Sequence, residues 1–329
     1  MGLNVYGKFL GALYGTAIGD AMGMPTTFLS REEIKKRYGF VSSFLEPPRD
    51  SEVHSGLRAG SYTDDTELTF ALARAIIKKK AVEPRAVAEE LIKWAEDNDA
   101  LNGNIIGPST KKAIELLKKG ESVERSGRFG TTNGCAMKIS AVALFDYNKS
   151  FDELYMDVVH ACMPTHNTST AVSGAMAIAT AVKLAVLGYD PKTIVEKAVE
   201  RSELAGKTMG GVSVSERIVE AIKINPESDE EFLDALYNFL KEPKGALTED
   251  AVPAAISIFS RAKGDFKRSV LLSCNLGGDS DTIGAMAGAM SGAFSGFSAI
   301  PREWVKAVDA NSKTDIRKLA KDLLDVSKV

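Results

Sequence analysis

Two short acidic clusters of similar composition stand out in the chain: TDDT at residues 63–66 and DSDT at residues 279–282. Each places two carboxylates beside two hydroxyls at the start of an apolar run that reads as a helix. Oxygen-rich groups of this kind suit hard divalent cations such as Mg²⁺, Ca²⁺ or Mn²⁺. If the fold brings the two clusters together, they would form a two-metal site of the kind that hydrolases use.

Helix capping is the competing interpretation of both clusters. Thr and Asp are preferred N-cap residues, and acids in the first turn complement the helix dipole. A cap uses one side-chain oxygen, however, whereas the two motifs together offer four carboxylates and four hydroxyls. Carboxylates that crowd together raise one another's pKa unless a cation neutralises them. We therefore favour a metal site over two ordinary caps.

Glycine recurs at every fourth position in two segments, and both segments lie next to chemically interesting residues. On a helix this spacing lines up one face without side chains, so that another helix can approach closely. Each glycine costs about 1 kcal/mol of helix propensity relative to alanine, which implies a packing reason. One alternative is a tight helix pair in the core with no link to the site. The more specific hypothesis is that the two helices pack near each other and hold both acidic clusters at the mouth of one site. The residues are Gly11, Gly15, Gly19, Gly23, Gly284, Gly288, Gly292 and Gly296.

Asp20 lies inside the first glycine series, in the sequence GTAIGDAMG. A carboxylate in such a small and apolar run is costly to bury without a partner. It either faces solvent or reaches a polar centre, and we favour the polar centre, where Asp20 would act as a supporting acid.

The polar loop GTTNG at residues 130–134 is a candidate nucleotide-binding segment, because backbone N–H groups at the start of a helix can hold a phosphate. An ordinary turn explains the same residues. Of the three histidines, His166 lies among polar loop residues, so we expect it to contact a ligand, although a lone histidine is more often structural. The candidate substrate-binding residues are Asp64, Gly130, Thr131, Thr132, Asn133, Gly134 and His166.

Helical spacing dominates the rest of the chain, and alternating β-branched runs are nearly absent. We therefore predict an all-α protein of about a dozen helices or more, in one domain over residues 1–329. The clearest helical patterns cover residues 66–80, 83–97, 109–119, 151–162, 169–187, 229–241, 249–262 and 313–327.

Composition restricts the class of partner. A net charge of −3 gives no electrostatic footprint for nucleic acid or an anionic membrane. The N-terminus does not read as a signal peptide, and the uncharged segment 283–300 is rich in Ala, Gly, Ser and Met, so we interpret it as a buried helix. Cys135, Cys162 and Cys274 are widely spaced and form no CxxC pair, which predicts reduced thiols and a cytoplasmic protein.

Five segments occur in an order that resembles the ADP-ribosylglycohydrolases: GALYGTAIGDAMGMP, YTDDTELTFALA, NGCAMKISA, the Thr165-His166 step and GGDSDTIGAMAGAMSGA. The match runs from about residue 8 to residue 298. The resemblance implies a compact single domain of orthogonally packed helices with two Mg²⁺ or Mn²⁺ ions. The metal ligands that it implies are Thr63, Asp64, Asp65, Asp279, Asp281 and Thr282.

The resemblance also implies the chemistry. Members of the family cleave ADP-ribose from a modified side chain, arginine or serine, at C1″ of the distal ribose, and here Asp65 or Asp279 would take the proton. Two departures affect this expectation: Thr27 occupies a place where many members carry glutamate, and Lys138 stands where arginine is common. Thr27 leaves two alternatives open, a hydrolase of smaller ribosyl compounds such as nucleosides and an inactive ADP-ribose-binding regulatory protein. A helical scaffold whose acids merely cap helices would bind no metal.

Overall fold

The computed structural model describes residues 4–103, 105–208, 214–242 and 244–328. Within these residues the regular secondary structure is helical throughout, which confirms the all-α prediction. The boundaries of a single domain over 1–329 stay a prediction. The helices are α1 (Val5–Gly23), α2 (Arg31–Tyr38), α3 (Asp64–Lys79), α4 (Pro84–Asp97), α5 (Pro108–Lys118), α6 (Val123–Ser126), α7 (Ser140–Phe145), α8 (Phe151–Cys162), α9 (Ser169–Leu187), α10 (Pro191–Thr208), α11 (Ser215–Ile222), α12 (Asp229–Phe239), α13 (Thr248–Arg261), α14 (Phe266–Cys274), α15 (Ser280–Ser295), α16 (Arg302–Asn311) and α17 (Ile316–Val326).

Each of the eight helices predicted from apolar spacing is present, with ends that differ by three residues at most. Both α8 and α9 begin and end at the predicted residues. Local sequence explains the agreement at α8, because the Ser150 hydroxyl accepts a hydrogen bond from Glu153 N while the Glu153 carboxylate accepts one from Ser150 N. This capping box marks a helix start in the sequence itself.

Helices α1 and α15 pack along their two glycine faces and form the centre of the molecule. A Cβ added at Gly15 would lie much closer to Gly288 O than van der Waals contact allows, and one added at Gly19 would clash with Gly284 O in the same way. Because residue numbers rise along one helix as they fall along the other, the two helices are antiparallel. The C-terminal end of α1 therefore meets the N-terminal end of α15, where the DSDT cluster begins.

Buried apolar side chains from most helices surround this pair. By length and composition, α9 could cross a membrane, but 89% of its most apolar window is buried inside the protein, as in the core helix of a globular domain. The uncharged segment 283–300 is buried within α15 from Ile283 to Ala293, as predicted, but the helix ends at Ser295, and Ser298 and Ala299 are exposed.

Two of the cysteines differ from the prediction. Cys135 and Cys162 form a disulfide, with their Cα atoms 5.5 Å apart, so the prediction of three reduced thiols is wrong for this pair. Cys274 is a free and buried thiol. Wide spacing in sequence was a poor guide, because the chain folds back between the two cysteines, which are 27 positions apart, and brings α8 against the segment that follows the GTTNG loop.

Candidate active site

Asp20 holds the start of α3 in place. Its carboxylate is fully buried and accepts hydrogen bonds from the backbone N–H groups of Thr63 and Thr66, at 2.9 and 3.1 Å. The Thr66 hydroxyl donates to the same oxygen at 2.5 Å. These N–H groups are among those that a helix leaves unpaired at its N-terminus. The prediction that Asp20 reaches a polar centre is confirmed, and its role is to support the TDDT segment from behind.

This arrangement argues against the capping interpretation of the two acidic clusters. At several other helices the N-cap side chain pairs with its own helix, as Thr168 does by accepting from Ala171 N. Thr63 and Asp279 occupy the N-cap positions of α3 and α15, yet neither side chain makes a cap hydrogen bond. Since α3 takes its cap from Asp20, its own acids are available for another purpose.

A glycine pair places the second cluster. Gly277 and Gly278 have φ of 81° and 64°, a left-handed conformation that glycine adopts at little cost. The turn lets Gly278 O accept from Phe28 N at 2.6 Å, while Asp279 N donates to Lys244 O at 2.9 Å. The start of α15 is thus fixed between the segment after α1 and the segment before α13.

The GTTNG loop joins the same assembly through Asn133. The Asn133 side-chain amide donates to Gly245 O at 3.0 Å and to Asp279 Oδ2 at 2.5 Å. Thr248 reinforces the loop by donating its hydroxyl to Thr132 O at 2.8 Å. A 3₁₀ turn, Ala136–Lys138, follows the loop, where the sequence had suggested the start of a regular helix.

The two clusters, more than 200 positions apart in the chain, meet in one cavity of about 400 Å³. Thr63 does not line the cavity but reaches it indirectly, because its hydroxyl donates to Asp65 Oδ2 at 3.1 Å. The walls also carry apolar side chains such as Val53, Ile106 and Leu247. The predicted site residues that line the cavity are Asp64, Asp65, Thr132, Asn133, Gly134, Asp279, Asp281 and Thr282.

His166 lies behind the loop and not on the cavity wall. Its side chain is fully buried, with Nε2 3.0 Å from the Thr132 hydroxyl and Nδ1 2.8 Å from that of Thr165. The ring packs against Gly134, where a Cβ would come within 2.8 Å of it. Burial lowers the pKa of His166 well below its usual value, and Lys138 adds to the effect. This histidine supports the loop; Gly130 and Thr131 are likewise outside the cavity lining.

His54 is the residue that sequence reasoning missed. It lies in the loop between α2 and α3, lines the cavity, and is 7% exposed. Its Nε2 is 2.7 Å from Asp281 Oδ2. The residues around it in sequence, SEVHSG, carry no recognisable motif, so the contact depends on a tertiary approach that local sequence does not encode.

The cavity brings four aspartate carboxyl groups close together. Burial raises the pKa of Asp64 and of Asp279 well above the usual value, and repulsion from Asp65 and Asp281 adds to the shift. The pKa of Asp65 rises to about 7 for the same two reasons, burial and the nearby Asp281. Burial is also the largest single effect on Asp281, but the interactions with His54, together with hydrogen bonds from Asp279 and Thr282 N, outweigh it, so the pKa of Asp281 lies below its usual value. The acids are therefore held together against their mutual repulsion.

The carboxylate and hydroxyl oxygens of the two clusters are ligand types that a hard cation prefers. Asp65 is 2% exposed, and its Oδ1 has no hydrogen-bond partner, which is unusual for a buried carboxylate oxygen. In the described ranges no three His, Cys, Asp or Glu side chains already converge on a single ion position. Threonine hydroxyls, water or small side-chain rotations would therefore have to complete a coordination sphere.

Comparison with known proteins identifies the family. The sequence model of one family, ADP-ribosylglycohydrolase, matches residues 1–329. This chain belongs to the ADP-ribosylglycohydrolase family. It is accordingly a hydrolase of ADP-ribose glycosidic linkages.

Individual relatives cover nearly the whole chain. The uncharacterized protein YegU of Escherichia coli (strain K12) is 34% identical over 95% of both chains. The ADP-ribosylarginine hydrolase Tri1 of Pseudomonas putida (strain GB-1) is 28% identical over 96% of this chain and 77% of its own. A solved structure described as an ADP-ribosylglycohydrolase-related protein complex has a TM-score of 0.74 at 23% identity, and covers 98% of this chain and 99% of its own. That structure shows the likeness of fold.

Thr27 and Lys138 are the two site positions of this ADP-ribosylglycohydrolase that depart from the residues the resemblance implied. Thr27 lines the cavity, and its hydroxyl donates to Gly23 O at 3.3 Å, so the position contributes no carboxylate. Lys138 is fully buried, with its ammonium nitrogen 2.5 Å from Gly134 O. Burial lowers the pKa of Lys138 to about 7, while Asp64 and Asp65 oppose the shift. Lys138 thus lies beneath the acidic cavity, and its hydrogen bond to Gly134 O ties the GTTNG loop to the 3₁₀ turn.

Proposed function

We propose that this ADP-ribosylglycohydrolase depends on two divalent cations, Mg²⁺ or Mn²⁺, and cleaves the bond at C1″ of ADP-ribose attached to an arginine or serine side chain or a related acceptor. The observation that carries the proposal is the meeting of TDDT and DSDT in one cavity, where the N-cap side chains Thr63 and Asp279 make no cap hydrogen bond. Mutual repulsion among these acids supports a cationic partner.

The ions would be held by Thr63, Asp64, Asp65, Asp279, Asp281 and Thr282. When bound, they would supply charge stabilisation and an activated water. The pKa of Asp65 is raised to about 7, so this carboxylate can take up or release a proton near neutral pH. Burial also raises the pKa of Asp279, which is the other candidate for the proton transfer. Carboxylates near the anomeric carbon would also stabilise the oxocarbenium-like transition state of glycosidic cleavage. The role of Asn133 is to orient Asp279 through its amide hydrogen bond.

Replacement of Asp281 by alanine tests the metal site. We expect Asp281→Ala to lose measurable Mn²⁺ binding and at least about a thousandfold of the turnover of ADP-ribosyl-arginine or ADP-ribosyl-serine, because both ion retention and charge stabilisation are affected. Asp322→Ala is the matched control, since Asp322 lies on α17 and pairs there with Lys318. Full metal binding and full activity in Asp281→Ala would overturn the proposal.

A smaller ribosyl compound is the second candidate substrate, because the cavity lining carries little positive charge. Among the described residues of that lining, Lys111 is the one lysine or arginine, and its ammonium group is 3.4 Å from Gly103 O. A diphosphate would meet little positive charge there, whereas a nucleoside needs none. Turnover of ADP-ribosyl-arginine, ADP-ribosyl-serine and plain nucleosides, measured side by side, distinguishes the two candidates. Tight ADP-ribose binding without turnover of any of these would instead identify a regulatory binding protein.

A further inference from the structure

His54 brings an imidazole nitrogen into an otherwise oxygen-lined part of the cavity. Its backbone is fixed by a hydrogen bond from His54 N to the Ser51 hydroxyl at 3.2 Å, and its ring is almost completely buried. Nε2 points at the Asp281 carboxylate, 2.7 Å from Oδ2. No glutamate is among the described residues that line the cavity.

Two arrangements fit the short contact. Either Nε2 carries a proton and donates a hydrogen bond to Asp281, or Nε2 presents its lone pair, in which case a cation must lie beside it to offset repulsion from the carboxylate at 2.7 Å. Two ligand atoms at about 2.1 Å from one ion and about 90° apart are separated by about 3 Å. The observed separation is therefore close to that of neighbouring ligands in a coordination sphere.

We propose that His54 Nε2 is itself a ligand of the metal centre, beside Asp281, and that this nitrogen makes the site prefer Mn²⁺ or Co²⁺ to Mg²⁺. The assignment rests on the metal dependence proposed above. Imidazole is a poorer ligand for Mg²⁺, which favours oxygen, and a better one for first-row transition ions. One nitrogen among carboxylates and hydroxyls thus raises the affinity for the transition ions selectively.

A glutamine at position 54 separates a ligand from a simple hydrogen-bond donor. The amide group of His54→Gln can still donate a hydrogen bond to Asp281 from about the reach of Nε2, but it supplies no imidazole nitrogen. His54→Ala removes both functions. His160→Gln is the matched control, because His160 lies on α8 and its ring is directed at Asp157, 3.8 Å away.

The measurements are calorimetric titration of the metal-free protein with Mn²⁺ and with Mg²⁺, and pulsed electron paramagnetic resonance of the Mn²⁺ form. We expect a ¹⁴N coupling in the wild type and in His160→Gln that is lost in both position-54 variants. The Mn²⁺ affinity of His54→Gln should fall at least about tenfold, and its Mg²⁺ affinity should change less. Melting temperatures of the variants confirm that each one is folded.

Two results would overturn the assignment, and they have different meanings. If the wild type binds Mn²⁺ without a nitrogen coupling, and His54→Gln binds it equally well, His54 only donates a hydrogen bond to Asp281 and the proposed metal dependence survives. If the wild type binds no divalent ion at all, the proposed metal dependence fails as well. The spectrum of the wild type is decisive even if the variants do not fold.

Discussion

The middle of the α1–α15 pair and the end of the pair make opposite contributions to stability. In the middle, glycine faces let the two backbones pack directly against each other, as at Gly15 and Gly288. At the end, the same two helices bring Asp20, Asp279 and Asp281 close to the acids of α3, where burial and like charge oppose one another's ionisation. The glycine contact between the two helices, called the seam below, stabilises the fold by close packing. The acidic end of the pair, called the mouth below, opposes it through repulsion between carboxylates.

The contrast teaches how the site can exist at all. Repelling carboxylates separate unless the backbone that carries them is rigid, and close-packed interiors resist deformation. The glycine seam supplies this rigidity at the N-terminus of α15, and the Asp20 hydrogen bonds carry it to the N-terminus of α3. The middle of the helix pair thus stabilises an arrangement that its end could not maintain alone.

Gly288→Ala should have the largest effect on stability. Helix propensity alone predicts stabilisation by about 1 kcal/mol, but the added Cβ would collide with Gly15 O in the facing backbone. We expect a loss of about 3 kcal/mol, or failure to fold, measured by denaturant unfolding. Gly107→Ala is the control, because a Cβ there meets nothing within 4 Å. A stabilised Gly288→Ala would show that the seam is not tightly packed.

Asp20→Ala should have an intermediate effect, because Asp20 connects the seam to the mouth. The change leaves the Thr63 and Thr66 backbone N–H groups without their acceptor. We expect a loss of about 1–3 kcal/mol in the free energy of unfolding and a marked loss of turnover, since the TDDT segment loses its support. Asp20→Asn keeps one acceptor oxygen and removes the ionisable carboxyl group. Burial raises the pKa of that group well above its usual value. Stability close to that of the wild type is expected for Asp20→Asn, and equal losses in both variants would contradict this account.

The sequence was sufficient for features that depend on local patterns. Apolar spacing located α8 and α9 to the residue, and the glycine repeat indicated both the pairing of α1 with α15 and its closeness. The excess of oxygens in TDDT and DSDT singled out side chains that the fold brings into one cavity. These properties follow from helix periodicity and from side-chain chemistry at neighbouring positions.

The sequence was insufficient where distant segments decide a side chain's surroundings. His166 lies among polar residues in the chain, yet the Thr132 and Thr165 hydroxyls enclose it, while His54, without any surrounding motif, faces Asp281. Cys135 and Cys162 form a disulfide for the same kind of reason. In each case the deciding neighbour comes from another loop or helix, and local composition carries no information about it.

The smallest expected effect is on the pH dependence of the free energy of unfolding, and it concerns one carboxylate of the mouth, Asp65. The pKa of Asp65 is about 7 in the folded protein against an ordinary value of 3.8, so between these values the folded state holds a proton that the unfolded state has released. Folding then takes up a proton, and stability falls as pH rises, by at most about 1.4 kcal/mol per pH unit for one group. We expect the wild type, in the presence of a chelator, to lose about 1 kcal/mol more than Asp65→Asn between pH 6 and 7, as measured by denaturant unfolding. Asp322→Asn, an exposed control, should keep the wild-type slope, and an equal slope in Asp65→Asn would mean that Asp65 is already ionised in the folded protein.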